Sequence, residues 1–291
     1  MRIRMEQMRQ ARGIHGGVLN MMSAALGVRL SRTPIPTKAL RRKEYRSLIG
    51  SKYKALNEVE LEKPLEDFRS INELFTRGVR SELRPRPPGN QYIFSPCDGT
   101  VQEIGRLQCD SLLTAKGINY TLASLAPECD VSAYDNAHFA ILFLSPSDCH
   151  RIFSPHDCTL RSITHVPGYR LLVHPPYQRK EFPVFTLNER MILQLNTPHG
   201  PALLILVAGW GVGCITFPFE DAVPISGRRL TRAEMSPERP FERGAWLATF
   251  ELGSTAILIT NVNSAADAAV ANGQTVQIGQ PLFHISGAHA S

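Results

Sequence analysis

The dipeptide Gly253-Ser254 is the part of this sequence that could do chemistry on the chain itself. A glycine carbonyl is sterically unshielded, so the Ser254 hydroxyl could attack the Gly253 carbonyl once a base removes its proton. The apolar, β-branched run Thr255 to Thr260 predicts a buried strand, with Gly253-Ser254 as the turn that feeds it. An ordinary turn before a strand is the simpler interpretation, so other residues must support the chemical one.

Two further turns supply an acid and a base for such a reaction. Asp98 lies in Pro96-Cys97-Asp98-Gly99, a turn that enters a predicted strand, and His150 follows an apolar stretch that ends at Leu144. Each residue alone is typical of a turn or a strand end. Together with Ser254 they form the carboxylate, imidazole and hydroxyl set that activates a serine. We therefore predict Asp98, His150 and Ser254 as catalytic residues.

The elements that must position these residues are mostly strands. Short apolar runs alternate with turn clusters beyond residue 90, which is typical of a β barrel or sandwich. The predicted strands are Gly99 to Gly105, Phe139 to Leu144, Leu160 to Val166, Met191 to Asn196, Ala202 to Val207, Gly213 to Phe217, Trp246 to Phe250 and Ala256 to Thr260. One helical turn is predicted at Leu122 to Leu125.

The N-terminal part of the chain has a different character. Residues 1–54 hold 13 Lys and Arg against Glu6 and Glu44, and Lys38 to Leu56 has the pattern of an amphipathic helix. Its apolar residues, Leu48, Ile49 and Tyr53, suit either an anionic membrane surface or a position packed against the rest of the protein, and both interpretations stay open.

Two more helices are predicted before the strands begin. A looser helical pattern covers Met5 to Leu30, and the capping box Ser70-Ile71-Asn72-Glu73 predicts a short helix. The proline-rich segment Arg84 to Gly89 marks the end of the helical region. The expected fold is α+β, with a helical, membrane-associating region 1–90 followed by a β-rich barrel or sandwich catalytic domain 91–291.

Several classes of function find no support in the sequence. There is no P-loop, dinucleotide fingerprint or nucleic-acid motif. The six cysteines lack the paired spacing of a zinc site, so they predict reduced thiols and no metal. The uncharged stretch Pro201 to Phe219 is broken by three glycines, Gly209, Gly211 and Gly213, and predicts two strands around a turn instead of a membrane span.

With these residues in place, the sequence resembles the bacterial phosphatidylserine decarboxylase family, whose cleavage motif is matched by Leu252-Gly253-Ser254-Thr255. A lone match of four residues is weak, but other family motifs follow in family order. They are Ile71-Asn72-Glu73-Leu74-Phe75, Pro96-Cys97-Asp98-Gly99, Ala115-Lys116-Gly117, Leu144-Ser145-Pro146, Val166-Pro167-Gly168, Asn188-Glu189-Arg190, Val212-Gly213 and Gly279-Gln280-Pro281-Leu282. The resemblance covers the chain from about residue 45 to the end.

The resemblance implies a proenzyme that cuts itself between Gly253 and Ser254 and converts Ser254 into a covalent pyruvoyl cofactor at the start of fragment 254–291. Such an enzyme forms a Schiff base with phosphatidylserine and releases carbon dioxide and phosphatidylethanolamine. The implied assembly is a heterodimer of the two fragments, with a dimer of these left open. Its implied place is peripheral, on the cytoplasmic face of the inner membrane, with the anionic lipid surface as partner and no nucleic acid.

One position departs from the family pattern. The family has His-x-x-His where this chain has His150-Arg151-Ile152-Phe153. By resemblance, the second histidine relays charge between the aspartate and the serine, and phenylalanine cannot accept a proton. His150 would then have to serve both self-cleavage and decarboxylation, or His156 would act as an auxiliary base for self-cleavage. Otherwise self-cleavage would be slow or absent.

Two alternatives to the decarboxylase therefore stay open. An uncleaved relative would act as a lipid-binding or interaction protein, and Phe153 favours that interpretation. A Ser-His-Asp hydrolase would use Ser254 intact. The second alternative is weaker, because the chain lacks the G-x-S-x-G elbow and Ser254 precedes a strand instead of a helix.

Overall fold

The computed structural model describes residues 26–51, 53–107, 112–115, 117–173, 178, 183–209, 215–219, 229–251, 254–262 and 266–286. Its α+β architecture places helices near the N-terminus and strands from residue 92 onward. Residues 26–31 are helical, and the further described α-helices are α1 (Lys38–Ser51), α2 (Ile71–Phe75), α3 (Leu122–Leu125) and α4 (Val184–Leu187). Most of the helix predicted at Met5 to Leu30 lies outside the described residues.

The described strands form one large sheet and three small ones. They are β1 (Tyr92–Phe94), β2 (Gly99–Arg106), β3 (Leu112–Ala115), β4 (Ile118–Thr121), β5 (His138–Leu144), β6 (Arg151–Phe153), β7 (Cys158–Val166), β8 (Arg190–Thr197), β9 (Gly200–Ala208), β10 (Ile215–Thr216), β11 (Thr231–Phe241), β12 (Trp246–Phe250), β13 (Ser254–Thr260), β14 (Ala266–Ala268), β15 (Thr275–Val276) and β16 (Pro281–Ile285). The large antiparallel sheet has the order β11-β7-β8-β9-β13-β5-β2-β15. The small sheets are β1-β16-β14, β10-β12-β6 and β3-β4.

Strand β13 lies inside the large sheet and is paired along its whole length on both sides. Its first residue, Ser254, lies opposite Leu144 of β5 and Ala208 of β9. Successive side chains of β13 enter different apolar clusters on the two faces of the sheet, Ala256 and Leu258 in one, Ile257 and Ile259 in the other. Because both faces are covered, the strand is apolar from Ala256 to Ile259 and does not alternate there between polar and apolar residues.

Helix α1 packs against the N-terminal region itself. The Tyr45 hydroxyl donates to the Phe68 carbonyl over 2.8 Å, and the ring of Tyr53 meets the ring of Phe75 edge-on. Tyr53 is 5% exposed, and Leu48 and Ile49 are half-buried against the same cluster. Of the two interpretations left open for this helix, the burial of Tyr53 supports packing against the rest of the protein. Burial of these apolar side chains inside the protein stabilises the packed position of α1.

Most predicted elements are confirmed, with ends that differ by a few residues. Predicted strand Trp246 to Phe250 matches β12, the predicted turn of helix matches α3, and Ser70 caps α2 by accepting from the Glu73 amide over 3.1 Å. The 11-residue strand β11 was not predicted, because its sequence is charged and contains two prolines. It lies at an edge of the sheet, where prolines and exposed charges are tolerated.

The described part of Pro201 to Phe219 forms β9 and β10, as predicted, and residues 210–214 between them lie outside the described residues. None of the helices in the described ranges is both long enough and apolar enough to span a membrane.

Candidate active site

The bond between Gly253 and Ser254 joins strands of two different sheets. Strand β12 ends at Phe250 in the small sheet with β6 and β10, and β13 begins at Ser254 in the large sheet. Leu252 and Gly253 lie outside the described residues, so the predicted turn is described only at its two ends. The strand pairing fixes Ser254 from both sides and leaves the preceding residues as the link between the sheets.

His150 lies at the same end of the sheet as Ser254. The chain leaves β5 at Leu144, opposite Ser254, and reaches His150 after one turn; the His150 carbonyl then accepts from the Phe250 amide at the end of β12 over 3.0 Å. The imidazole is fully buried and stacks on the Phe75 ring with centroids 3.8 Å apart. His150 is thus held between the strand that precedes the Gly253-Ser254 bond and helix α2.

The hydrogen bonds of His150 define its tautomer. Its Nδ1 lies 2.9 Å from the backbone carbonyl of Asp148, and a carbonyl only accepts, so Nδ1 carries the proton. Its Nε2 is buried and has no hydrogen-bond partner among the described residues. Burial, helped by the charge of Arg77, lowers the pKa of His150 to about 3. The imidazole is therefore neutral near pH 7, with an unprotonated Nε2.

Asp98 reaches the same end of the sheet through the start of β2. Its neighbour Gly99 lies so close to β5 that an added Cβ would sit 2.6 Å from the Phe143 carbonyl oxygen. The Asp98 carboxylate accepts from Arg84 Nη2 at 2.9 Å and Nε at 3.2 Å, and from the Ile278 amide at 2.8 Å. Both Asp98 and Arg84 are buried. The structure thus pairs Asp98 with an arginine.

Position 153 is where the chain departs from the family pattern. Phe153 is the last residue of β6, pairs with Trp246 of β12, and donates its amide to the Pro96 carbonyl over 2.8 Å. Pro96 is two residues before Asp98. Residue 153 therefore lies beside the Asp98 turn, although its phenyl side chain has no proton to exchange.

His156 is placed elsewhere. Its Nε2 lies 3.0 Å from the Nε2 of His199, in the turn between β8 and β9. Ala208, the β9 residue opposite Ser254, is at the other end of that strand. Nine residues at roughly 3.3 Å each separate His199 from Ala208 by about 30 Å. The structure does not bring His156 to Ser254.

Several residues that support the site were not singled out as site residues from the sequence. Asn188 is fully buried, and its amide nitrogen donates to the carbonyl of Ala208, the partner of Ser254, over 2.8 Å. Gly168 packs on the backbone beside Asn188, where an added Cβ would lie 2.5 Å from the Asn188 carbonyl carbon. These contacts explain the motifs Val166-Pro167-Gly168 and Asn188-Glu189-Arg190. The sequence around Arg77 and Arg84 does not indicate their role at the site, because the residues that they bind are distant in the sequence.

A polar cavity of about 170 Å³ adjoins Asp98. Its charged lining residues are Glu60, Arg77, Arg84, Asp98 and Asp148. Within the described ranges, no group of three or more His, Cys, Asp or Glu side chains could hold a metal ion.

Comparison with known proteins places this chain in a family. The family model described as phosphatidylserine decarboxylase matches residues 71–284. A phosphatidylserine decarboxylase proenzyme of Anaeromyxobacter sp. (strain K) is 31% identical over 269 residues, covering 90% of this chain and 93% of the relative. The protein of the same name from Brevibacillus brevis is 30% identical over 274 residues, 92% of this chain and 95% of the relative. The chain belongs to the phosphatidylserine decarboxylase family.

Proposed function

We propose that this chain is a proenzyme that breaks its Gly253–Ser254 bond and then converts phosphatidylserine into phosphatidylethanolamine and carbon dioxide. The family match and the proenzyme names of the relatives support this function. The site supports it through placement, since Asp98, His150 and Ser254 lie at one end of the large sheet. They are separated by 52 or more residues in the sequence.

The unprotonated Nε2 of His150 is the observation that carries the proposal. Attack of the Ser254 hydroxyl on the Gly253 carbonyl needs a base, and a neutral imidazole with a free nitrogen can accept that proton. The attack converts the peptide bond into an ester. Loss of the Ser254 α-proton then expels the Gly253 carboxylate and leaves dehydroalanine. One water molecule hydrolyses dehydroalanine to the terminal pyruvoyl group and ammonia.

The structure fits a pyruvoyl group at position 254. The pairing of β13 with β5 and β9 would hold this position after the cut. The Nε2 of His150, which has no hydrogen-bond partner in the part of the chain that the structure describes, is a buried polar atom at the same end of the sheet. A pyruvoyl carbonyl condenses with the substrate amine and accepts the electrons released with carbon dioxide. His150 would take a proton from water at Nε2 and pass it to the carbon that has lost the carboxylate.

The two fragments would stay together as a heterodimer. Fragment 254–291 contributes β13 between β5 and β9, β15 at one edge of the large sheet, and two strands of a small sheet. It also supplies the Ile278 amide that Asp98 binds. A dimer of these heterodimers is supported only by the resemblance.

Intact mass under denaturing conditions tests the proposal. The parent should yield fragments 1–253 and 254–291, with a ketone in place of the amine at residue 254, while Ser254→Ala should remain one chain. Fragment formation should be lost in His150→Ala and retained in His284→Ala, which changes an exposed histidine of the small fragment. A parent that stays uncut after prolonged incubation with lipid would overturn the proposal.

That outcome would favour the second candidate, an uncleaved lipid-binding relative. The observation in its favour is Phe153, which removes a proton acceptor from the position beside the Asp98 turn. The hydrolase alternative has no such support, because Ser254 begins a strand in the middle of the sheet.

The family's association with membranes leaves the mode of contact open. We propose a peripheral contact on the cytoplasmic face, through exposed cations of the N-terminal region. Lys43 and Arg46 of α1, and Lys54 after it, are exposed, and no carboxylate partner is found for them among the described residues. Positive charge on this surface would be attracted by anionic lipid.

A further inference from the structure

The turn Ser145–Asp148 connects the strand beside Ser254 to His150. Leu144, opposite Ser254, is followed by Ser145, whose amide donates to Asp148 Oδ2 over 2.6 Å. The Asp148 amide donates back to the Ser145 carbonyl over 3.0 Å. The Asp148 side chain therefore closes the turn, as an aspartate does when it accepts from a nearby backbone amide. The distance between the strand end and His150 depends on this closure.

The carbonyl of Asp148 is held from two sides. It accepts from His150 Nδ1 at 2.9 Å and from Arg77 Nη2 at 3.1 Å. The same Arg77 nitrogen also donates to the Ser147 carbonyl. Arg77 is 3% exposed, so its guanidinium is fixed within the protein. The orientation of the carbonyl, and with it the tautomer of His150, depends on both Arg77 and the closed turn.

Arg77 also places a positive charge close to the imidazole. A positive charge disfavours the protonated form of a neighbouring histidine, and this effect adds to that of burial on the pKa of His150. The ionisable groups that act on Arg77, His150 and the turn come from four parts of the chain. They are Tyr53 of the N-terminal region, Asp98 of the turn before β2, Asp148 and Cys149 of the turn itself, and Arg151 of β6.

We propose that Asp148 and Arg77 are positioning residues for His150. Asp148 closes the turn with its carboxylate, and Arg77 fixes the carbonyl that holds Nδ1 and opposes protonation of the ring. This inference rests on the proposed function, because it takes His150 as the base of the reaction. Both residues act through His150 and need no contact with the substrate.

Substitution of Asp148 tests the closure of the turn. Asp148→Ala removes the acceptor for the Ser145 amide and should slow both fragment formation and decarboxylation per cleaved chain by roughly 10- to 100-fold, the cost of a misplaced catalytic group. Asp148→Asn keeps an acceptor oxygen and should restore most of the loss. Asp157→Ala is the matched control, because Asp157 is also half-buried and accepts from a backbone amide, that of Arg243, over 2.7 Å.

Substitution of Arg77 tests the charge. Activity that needs neutral His150 falls as the pH drops through the pKa of that residue. Arg77→Met removes the charge that lowers this pKa, so the acid limb of the kcat/KM profile should move to higher pH. Arg77→Lys keeps the charge and should leave the acid limb in place. A merely structural role of Arg77 would change the rate in both variants without separating their acid limbs.

The outcomes separate the two proposals. If His150→Ala still forms both fragments at the rate of the parent, the role of His150 as the base is wrong. If His150→Ala is inactive, two results would each overturn the positioning role alone: rates in Asp148→Ala equal to those of Asp157→Ala, or the same acid limb in Arg77→Met and Arg77→Lys. Thermal unfolding of every variant identifies any loss of activity that comes from failure to fold.

Discussion

The backbone amide of Phe153 donates to the carbonyl of Pro96 over 2.8 Å, which ties the position of the missing histidine to the turn that carries Asp98. The strand β6 that ends at Phe153 is also paired with β12, the strand that leads to the Gly253–Ser254 bond. Residue 153 thus lies beside the turn of the acid, and its partner on β12 is Trp246, the first residue of that strand, eight residues before Ser254. A histidine at this position would place a base next to the acid, as the resemblance to the family implies for its second histidine.

Phe153→His should therefore accelerate self-cleavage. A histidine at this position would add a second proton acceptor between the Asp98 turn and β12, where the backbone is already fixed by hydrogen bonds to both. General-base catalysis contributes about 100-fold or more where a base is well placed. The rate is measured as the appearance of fragment 254–291 after synthesis of the proenzyme.

Phe153→Leu is the control for this substitution, because it changes the size of the side chain without adding a base. Cleavage in Phe153→His that is no faster than in Phe153→Leu would contradict the prediction. It would show instead that His150 alone performs both stages in this chain.

The burial of His150 predicts a loss of stability in acid. Its pKa falls from 6.5 to about 3 in the folded protein, so the unfolded chain binds a proton that the folded chain does not. The contribution to the free energy of unfolding is complete above pH 6.5 and is lost as the pH falls toward 3. It amounts to about 1.4 kcal/mol for each pH unit, or about 2 kcal/mol between pH 6.5 and pH 5.

Urea unfolding at pH 7.5 and pH 5 measures this contribution. The comparison is made in the uncut Ser254→Ala background, so that cleavage does not alter the protein. Adding His150→Gln should reduce the loss of stability between the two pH values by about 2 kcal/mol, since the titrating group is gone. Adding His284→Gln should leave it unchanged, because that side chain is exposed. An equal loss in both variants would rule out the neutral, buried imidazole.

The ion pair between Asp98 and Arg84 predicts that substitution of Asp98, which the sequence identified as a catalytic residue, also destabilises the fold. Asp98→Ala would leave the buried Arg84 with Glu60, 2.5 Å from Nη2, as its remaining carboxylate contact within the described ranges. Removing one partner of a buried ion pair costs about 3 kcal/mol or more. In the uncut background, Asp98→Ala should therefore lower the free energy of unfolding by at least that amount.

Glu60→Gln is the matched variant, because it changes the other, more exposed partner of the same arginine. Glu60→Gln should lower the free energy of unfolding by clearly less than Asp98→Ala does. If Asp98→Ala lowers the free energy of unfolding no more than Glu60→Gln does, and both losses are small, Asp98 contributes little to the fold and its importance lies in the chemistry.

The sequence could predict the site's contiguous motifs and its central strands, because both depend on neighbouring residues. The apolar run of β13 and the turns at Asp98 and His150 carry their own signals of burial and chain reversal. The sheet order carries no such signal, so neither the pairing of β13 with β5 and β9 nor the common end shared by Asp98, His150 and Ser254 followed from pattern alone.

Partners distant in the sequence account for the rest. Arg84 was interpreted as part of a proline-rich boundary, yet it binds Asp98 fourteen residues away, and Arg77 holds carbonyls seventy residues further on. The apolar side of α1 could not be assigned to membrane or protein, because the same amphipathic pattern serves both. The burial of Tyr45 and Tyr53 decides in favour of the protein.

The remaining prediction concerns contact with the membrane through charge. Arg41 donates to the carbonyls of Ile35 and Glu66, and Arg42 pairs with Glu66, so neither is the best test of a free basic surface. Lys43 and Arg46 are both exposed on α1. At about 1 kcal/mol for each cation near an anionic surface, the double variant Lys43→Gln/Arg46→Gln should bind anionic vesicles about thirtyfold more weakly.

Sedimentation with vesicles of increasing phosphatidylglycerol content measures this binding, at low salt and at high salt. Binding of the parent should fall as salt screens the surface charges, and the variant should keep its activity on detergent-dispersed phosphatidylserine. The control Arg161→Gln/Arg229→Gln removes the same charge from exposed positions of the β-rich region and should bind like the parent. If both double variants bind equally, or if the parent binds neutral vesicles as well as anionic ones, a basic contact through α1 is wrong. Exposed apolar residues such as Leu26 and Leu30, on the helix before α1, would then have to provide the contact.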